Sequence, residues 1–168
     1  MPNLAAFSSI FSHPTWDVLA VFFFVAAGFF YGISMGRTRM TAVLLSIYIS
    51  QLLFEHTRFI NFFLESREIL EIFLLKAAAF FALIVILSHF LTKSVFRPMA
   101  EDSGIWWQIF LLSFSEVGLL ISAVFRLLPA VELFTFSPLV SYFFASPNAY
   151  FWWLILPLLV LFVIMRRK

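Results

Sequence analysis

Long apolar runs alternate with short polar links along the chain, and this pattern predicts a bundle of membrane-spanning helices. At 1.5 Å per helical residue, about 20 apolar residues cross a hydrocarbon core of about 30 Å. Four runs span or nearly span it, at residues 16–35, 72–91, 106–128 and 150–165. The last run contains Pro157, which a membrane helix tolerates where its neighbours satisfy the freed carbonyl.

A fifth segment at residues 41–64 has two interpretations. Its sequence is TAVLLSIYISQLLFEHTRFINFFL, apolar in its first half and interrupted by charged residues in its second. It is either a full span with a polar face or a re-entrant or interfacial helix. If it spans, the N-terminus lies outside, the C-terminus lies in the cytoplasm, and seven of the eleven basic residues fall at cytoplasmic ends. The positive-inside rule therefore favours five spans. The seven are Arg37, Arg39, Lys93, Arg97, Arg166, Arg167 and Lys168.

The region between the fourth and last spans is apolar but contains Pro129, Pro138 and Pro147. About 20 residues is long for a structureless connection, so we expect a short interfacial or re-entrant helix at 131–144. No linker or repeat separates a second domain. The predicted fold is an all-α integral membrane protein of one domain, residues 1–168, with four helices and an additional C-terminal one.

Composition supports a membrane protein and excludes several kinds of site. The 168 residues are 63% hydrophobic and 12% charged, whereas soluble domains are about 45–50% apolar and about 25% charged. The absence of cysteine excludes disulfides and thiolate metal sites. A net charge of +2 gives no indication of a nucleic-acid partner. We therefore expect the lipid bilayer to be the partner that surrounds this chain.

Three glycines, Gly28, Gly32 and Gly36, repeat every four residues in GFFYGISMGRTR and share one helix face. Helices in lipid associate through close contact, so small residues mark their interfaces. This face has three interpretations: a groove for another helix of the chain, a seam between copies of the chain, or a pore lining. A second small-residue face on the fourth span comprises Ser115, Gly118 and Ser122.

Glu116 lies near the middle of the fourth predicted span, in LLSFSEVGLLIS. An ionised carboxylate at that depth costs at least about 2.5–3.5 kcal/mol, so it should face the protein interior and be paired or protonated. Gln51 lies at similar depth and is a candidate hydrogen-bond partner. The acid is either a structural group that locks helices together or a proton- or cation-responsive site in a transport path.

A second polar group is expected towards the outer half of the membrane. Both charge signs occur in it, which favours an ion-pair network over a gate or a solute-binding vestibule. The three histidines have no metal-binding spacing, and the sequence contains no GxSxG or GxxxxGK motif. We therefore expect no metal, no cofactor and no catalytic residues. The group comprises Glu55, His56, Arg58, Lys76 and Arg126.

The stretch TWDVLAVFFFVAAGFFYGISMGRTRMTAVLLSIYIS resembles the opening of the colicin V production (CvpA-like) family of bacterial inner-membrane proteins. The shared features are Asp17 at the mouth of the first span, the glycines that close it, Gly36–Arg37 at its end, and a serine-containing second segment. The resemblance covers about residues 15–128. Inside the fourth span, where the family tends to carry a glycine–arginine pair, this chain has Glu116, Val117 and Gly118.

The resemblance implies a non-enzymatic inner-membrane protein that assists export of a peptide toxin or maintains the envelope. It implies no catalytic residue. A homo-oligomer or a complex with other membrane proteins is the expected assembly. The alternative hypothesis from the residues is a small transporter or channel subunit in which Glu116 and Gln51 line a polar path.

Overall fold

Helices make up almost all of the computed structural model, which describes residues 16–56, 68–94, 106–128 and 130–166. No β-strand occurs within these ranges, so the prediction of an all-α protein is confirmed for them. The long helices are α1 (Trp16–His56), α2 (Ile69–Ser94), α3 (Trp106–Leu127) and α6 (Pro147–Arg166). Each contains a stretch long and apolar enough to cross a membrane. The short helices are α4 (Ala130–Leu133) and α5 (Pro138–Val140), and a π-helical turn follows at Ser141–Ala145.

Helix α1 is interrupted at Gly36, where φ is 76° and ψ is 166°. A straight helix of 41 residues would be about 60 Å long, twice the thickness of a hydrocarbon core. The chain instead divides into two arms, residues 16–35 and 37–56. A Cβ atom built on Gly32 would lie 2.5 Å from the Sδ atom of Met40, so the second arm turns back beside the first.

The two ends of α3 show that the arms run antiparallel. Arg37, next to the bend, donates to the Gln108 side chain at the start of α3 over 3.2 Å. At the other end of α3, the carboxylate of Glu55 lies 3.5 Å from the guanidinium of Arg126. Trp16 reaches that same end, because its ring packs on Phe136, which contacts Phe125 of α3. The start of the first arm and the end of the second arm therefore meet at the Arg126 end of the bundle.

The buried core lies between the second arm, α2 and α3. Phe80 and Ile84 of α2 pack with Met40 and Leu44 of the second arm, and α3 completes the cluster. Three of the 26 residues of α2 are buried, so most of that helix faces outwards. Apolar side chains on that outward face are expected in a helix that contacts lipid.

Three buried serines allow the helices to approach closely while their hydroxyl groups are hydrogen-bonded within their own helix. Ser46 donates to the carbonyl of Ala42 over 2.7 Å, Ser113 to Ile109 over 2.8 Å, and Ser115 to Leu112 over 2.9 Å. Each bond lies within one helix, which leaves a short side chain at the contact with the neighbour. The predicted small-residue faces are therefore compatible with a dry interior.

The region after α3 differs from the single helix expected at 131–144. It consists of α4, four residues outside any helix at 134–137, α5, and the π-helical turn that follows α5 directly. Ser137 caps α5, since its side chain accepts from the amide of Val140, and Pro138 begins that helix. A proline at the first helical position fixes a new start, which explains why no continuous helix forms.

Helix α6 contains the predicted span 150–165 and packs along α3. Pro157 is fully buried inside it, where it removes one intrahelical hydrogen bond. The hydroxyl group of Tyr48, from the second arm, donates to the carbonyl of Leu154 in the same turn. Pro157 leaves the carbonyl of Trp153 without its helical donor, and the Tyr48 hydroxyl bonds to the next carbonyl along the chain.

Candidate functional site

Glu116 lies in the middle of α3 and is 7% exposed. Its neighbours Ser115 and Leu119 are fully buried, so this face of α3 forms part of the protein interior. No hydrogen bond or ion pair joins the Glu116 carboxyl to another described residue. Because most buried polar groups in proteins are hydrogen-bonded, a lone buried acid indicates more than helix packing.

A cavity of about 320 Å³ adjoins Glu116 at the meeting point of four helical segments. Both arms of α1, helix α2 and helix α3 contribute to its wall. The bend at Gly36 is what brings residues from the two arms to the same depth. The lining residues are Phe24, Ala27, Gly28, Tyr31, Val43, Ile47, Ile84, Ser113, Glu116, Val117 and Leu120.

The wall of this cavity is apolar apart from three side chains. Glu116 is the one charged residue among those that line it, and Ser113 and Tyr31 supply hydroxyl groups. The hydroxyl of Ser113 already donates to the carbonyl of Ile109. The arrangement therefore places a single carboxyl beside an apolar wall, where electrostatic interactions are stronger than in water, in a cavity that is open on one side.

Gln51 lies in a different polar cluster from Glu116. The phenolic hydroxyl of Tyr150 donates to its Oε1 atom over 3.5 Å. Its Nε2 atom and the hydroxyl of Ser50 are buried with no partner among the described residues. The structure thus brings Gln51 together with Tyr150 of α6, and the hydrogen bond to Glu116 expected from the sequence is not formed.

Part of the second predicted polar group does come together at the Arg126 end. Arg126 pairs with Glu55 and also lies 4.6 Å over the ring of Tyr150. His56 bonds to the carbonyl of Leu52 in its own helix. Lys76 is half-buried on α2, and Arg58 lies outside the described residues. Of the described members, Glu55 and Arg126 form an ion pair at the bundle end, separate from the Glu116 cavity, and His56 and Lys76 are not part of it.

The three glycines of the predicted face have two different structural roles. Gly28 approaches Val117 and Ser113, and Gly32 approaches Ile109 and Ser113, so these two glycines pack against α3 within the chain. Gly36 differs from the packing role expected of it, because a Cβ atom there would meet nothing within 4 Å. Its positive φ shows that it makes the bend instead.

Gly118 packs against the indole ring of Trp153, which fills the space above it. The sequence placed Gly118 at a close helix contact, and the contact is with α6. The same ring stacks on Phe144 with centroids 5.3 Å apart, and its Nε1 atom donates to the carbonyl of Phe143 over 2.8 Å. Trp153 therefore joins α3, α6 and the π-helical turn.

Asp17 has a buried carboxylate whose hydrogen-bond partners could not be predicted from the sequence. It is 3% exposed, and it accepts hydrogen bonds from the backbone amides of Ser137, at 2.6 Å, and Val18, at 3.0 Å. An acid in the first turn of a helix is a common sequence signal, since it complements the helix dipole. Its link to a segment 120 residues away depends on tertiary structure.

The described side chains bring together no group of three or more His, Asp or Glu residues suited to a metal ion. Comparison with models of protein families, with curated proteins and with solved structures found no match to this chain.

Proposed function

We propose that this chain is a small, non-enzymatic membrane transport protein or transport subunit, in which Glu116 binds and releases a proton or a cation. The observation that carries the proposal is the combination of a buried carboxyl without a partner and a cavity beside it. An acid in the middle of a membrane helix is costly, and such residues commonly mark ion or substrate paths.

The alternative role for Glu116 is that of a structural acid that locks helices together. A structural acid is expected to hydrogen-bond across a helix interface, as Asp17 does with the amide of Ser137. Glu116 makes no such bond to the described residues, and the space beside it holds about 320 Å³. These two observations favour a site that binds a proton or a cation over a structural acid whose hydrogen bonds are already made.

The proposed setting is the bacterial cytoplasmic membrane, with five spans, the N-terminus outside and the C-terminus in the cytoplasm. The antiparallel arms of α1 support this arrangement, because each arm of about 20 residues is long enough to cross the hydrocarbon core. Reporter fusions after Glu65 and after Arg97 test it. We expect the first to report the outside and the second the cytoplasm, and the same side for both would contradict five spans.

A second candidate function is the toxin-export or envelope role implied by the resemblance to the CvpA-like family. It rests on the resemblance alone, and two features of that resemblance have defined contacts or angles in this chain. Asp17 anchors the start of the first arm, and Gly36 reverses the chain directly before Arg37. Secretion of a peptide toxin by cells with and without the chain tests this role, and equal secretion would contradict it.

Water access to position 116 tests the transport proposal directly. The chain has no cysteine, so Glu116→Cys creates a single target for a charged, water-soluble thiol reagent. Leu119→Cys is a matched control, since Leu119 is fully buried and does not line the cavity. We expect labelling at 116 and none at 119. Absence of labelling at 116 from both sides of the membrane would overturn the proposal.

A further inference from the structure

We propose that the Glu116 cavity takes an organic cation, an ammonium or similar group that carries an apolar body. This inference rests on the proposed function and names the class of substrate for the same site. It follows from three properties of the cavity: its single charge, its shortage of oxygen ligands, and its apolar wall and opening.

The charge of the cavity has no counterpart in the surrounding protein. The described basic side chains nearest to the lining are directed elsewhere: Arg39, four residues before Val43, contacts the Sδ atom of Met35, and Arg37 donates to Gln108, eight residues before Glu116 on α3. On the other side, Arg126 lies ten residues after Glu116, so Gln108 and Arg126 are about 12 and 15 Å from Glu116 along the axis of α3. Arg126 is in addition paired with Glu55. The positive charge that balances an ionised Glu116 must therefore come from a ligand or from a proton.

A bare metal ion does not fit the lining. Calcium takes six to eight oxygen ligands and magnesium takes six, some of them water. The side chains that line this cavity offer the Glu116 carboxyl and the hydroxyls of Ser113 and Tyr31. Since the remaining eight lining residues are apolar, dehydration of a small ion there would be poorly compensated.

An apolar body fits the rest of the wall. Ile47, Ile84 and Leu120 line the inner part, and about 320 Å³ is within the range of small-molecule sites. The rings of Phe24 and Tyr31 also border the cavity, and aromatic faces attract quaternary ammonium groups. The combination of one carboxyl with aromatic and aliphatic walls matches the two parts of a lipophilic cation.

The cavity is bordered at the protein surface by the first arm. Phe24 is 52% exposed and Tyr31 is 44% exposed, and Ala27 between them is also exposed. Phe24 and Ala27 lie near the middle of this 20-residue arm, so in a membrane this border faces the hydrocarbon region. A cation with an apolar body partitions into the bilayer far better than a metal ion, and it can enter from that side.

The test measures protection of Glu116 from a hydrophobic carbodiimide, which attaches to a carboxylic acid, with mass spectrometry of the full chain in lipid nanodiscs. The probe is benzyltrimethylammonium. The matched control is neopentylbenzene, which has the same shape with carbon in place of nitrogen and no charge. Sodium ions form the third arm. We expect at least tenfold slower modification with the ammonium compound and no change with the other two.

Variants connect this protection to the site. Direct binding of radiolabelled benzyltrimethylammonium should be lost in Glu116→Gln and retained in Glu55→Gln, which removes an acid far from the cavity. Gel filtration and thermal unfolding of Glu116→Gln establish that it is folded, so that a loss of binding reports the site. Binding to Glu116→Gln that equals that of the parent chain would overturn the inference.

The outcomes separate the inference from the function on which it rests. Equal protection by neopentylbenzene would show an apolar pocket without cation selectivity, and protection by sodium alone would show a metal-ion site. Either result overturns the organic-cation inference and leaves Glu116 as an accessible acid. A Glu116 that reacts only after the protein is unfolded would contradict both the inference and the proposed function.

Discussion

The indole ring of Trp153 lies directly over Gly118, in the space that a side chain at position 118 would occupy. This contact sets how closely α3 and α6 approach. We predict that Gly118→Ala destabilises the protein by about 1–3 kcal/mol, because a methyl group there forces the ring or the helix to move. Unfolding in mixed micelles measures the change.

A second substitution distinguishes this clash from an effect on helix propensity. In the Gly118→Ala background, Trp153→Leu removes the ring and should recover part of the lost stability, so that the two changes are non-additive. Strict additivity would contradict a direct clash.

Gly36 is expected to be intolerant of substitution for a different reason. Its φ of 76° and ψ of 166° lie in a region used almost only by glycine, whereas the space around it is open. Gly36→Ala should therefore cost about 1–3 kcal/mol through backbone strain alone. Ser34→Ala, two residues earlier on the exposed surface, is the control and should change stability little. Equal thermal stability of Gly36→Ala and the parent chain would contradict the observed bend.

Asp17 should fasten the start of the first arm to residues 134–137. Asp17→Asn replaces one of the two carboxylate oxygens with an NH2 group. The backbone amides of Val18 and Ser137 each donate to a different oxygen of Asp17, so one of them would face a second donor and the other would keep only an uncharged acceptor. We predict a loss of about 1–3 kcal/mol, the cost of an unsatisfied buried group. Glu68→Gln changes an exposed acid and serves as the control. Thermal unfolding compares them, and equal losses would argue against the anchor.

The Glu55–Arg126 pair should contribute little to stability. Its side chains are 51% and 47% exposed, and such pairs typically contribute about 0–1 kcal/mol. A double-mutant cycle with Glu55→Ala and Arg126→Ala measures the coupling. Arg126→Ala should be the more costly single change, because it also removes the contact with the Tyr150 ring. A coupling well above 1 kcal/mol would show that the pair is shielded from water.

Ala27 gives a way to fill the cavity without touching Glu116. Ala27→Phe adds a ring at the exposed edge of the lining and should slow modification of Glu116 by the hydrophobic carbodiimide at least tenfold. Ala79→Phe adds the same ring on the exposed face of α2, away from the cavity, and should leave the rate of modification unchanged. Equal rates in both variants would mean that access to Glu116 from the hydrocarbon region does not pass this edge.

The length of the apolar runs was enough to predict where long helices lie, because membrane helices must satisfy their backbone internally and need about 20 apolar residues. The burial of Glu116 could be predicted in the same way, from the cost of a charge in lipid. Its cavity could not, because that space depends on how the two arms, α2 and α3 pack together.

The remaining differences also arise from tertiary contacts. Regular spacing placed Gly36 with Gly28 and Gly32, but only the backbone angles distinguish a bend from a packing position. Similar depth suggested that Gln51 would meet Glu116, whereas the rotation of the second arm turns it towards Tyr150. Pro138 lies inside the single helix predicted at 131–144 and is the residue at which α5 begins, whereas the π-helical turn that follows α5 has no comparable sequence signal.

The bend at Gly36 has a consequence for how the protein is made. It brings Gly32 and Met40, only eight residues apart, into contact, so the first tertiary contacts of the chain are local in sequence. Local contacts form quickly because little chain entropy is lost when they close. The two arms can pair as a hairpin during synthesis, before α3 has been translated, and α3 then docks on a surface that already exists.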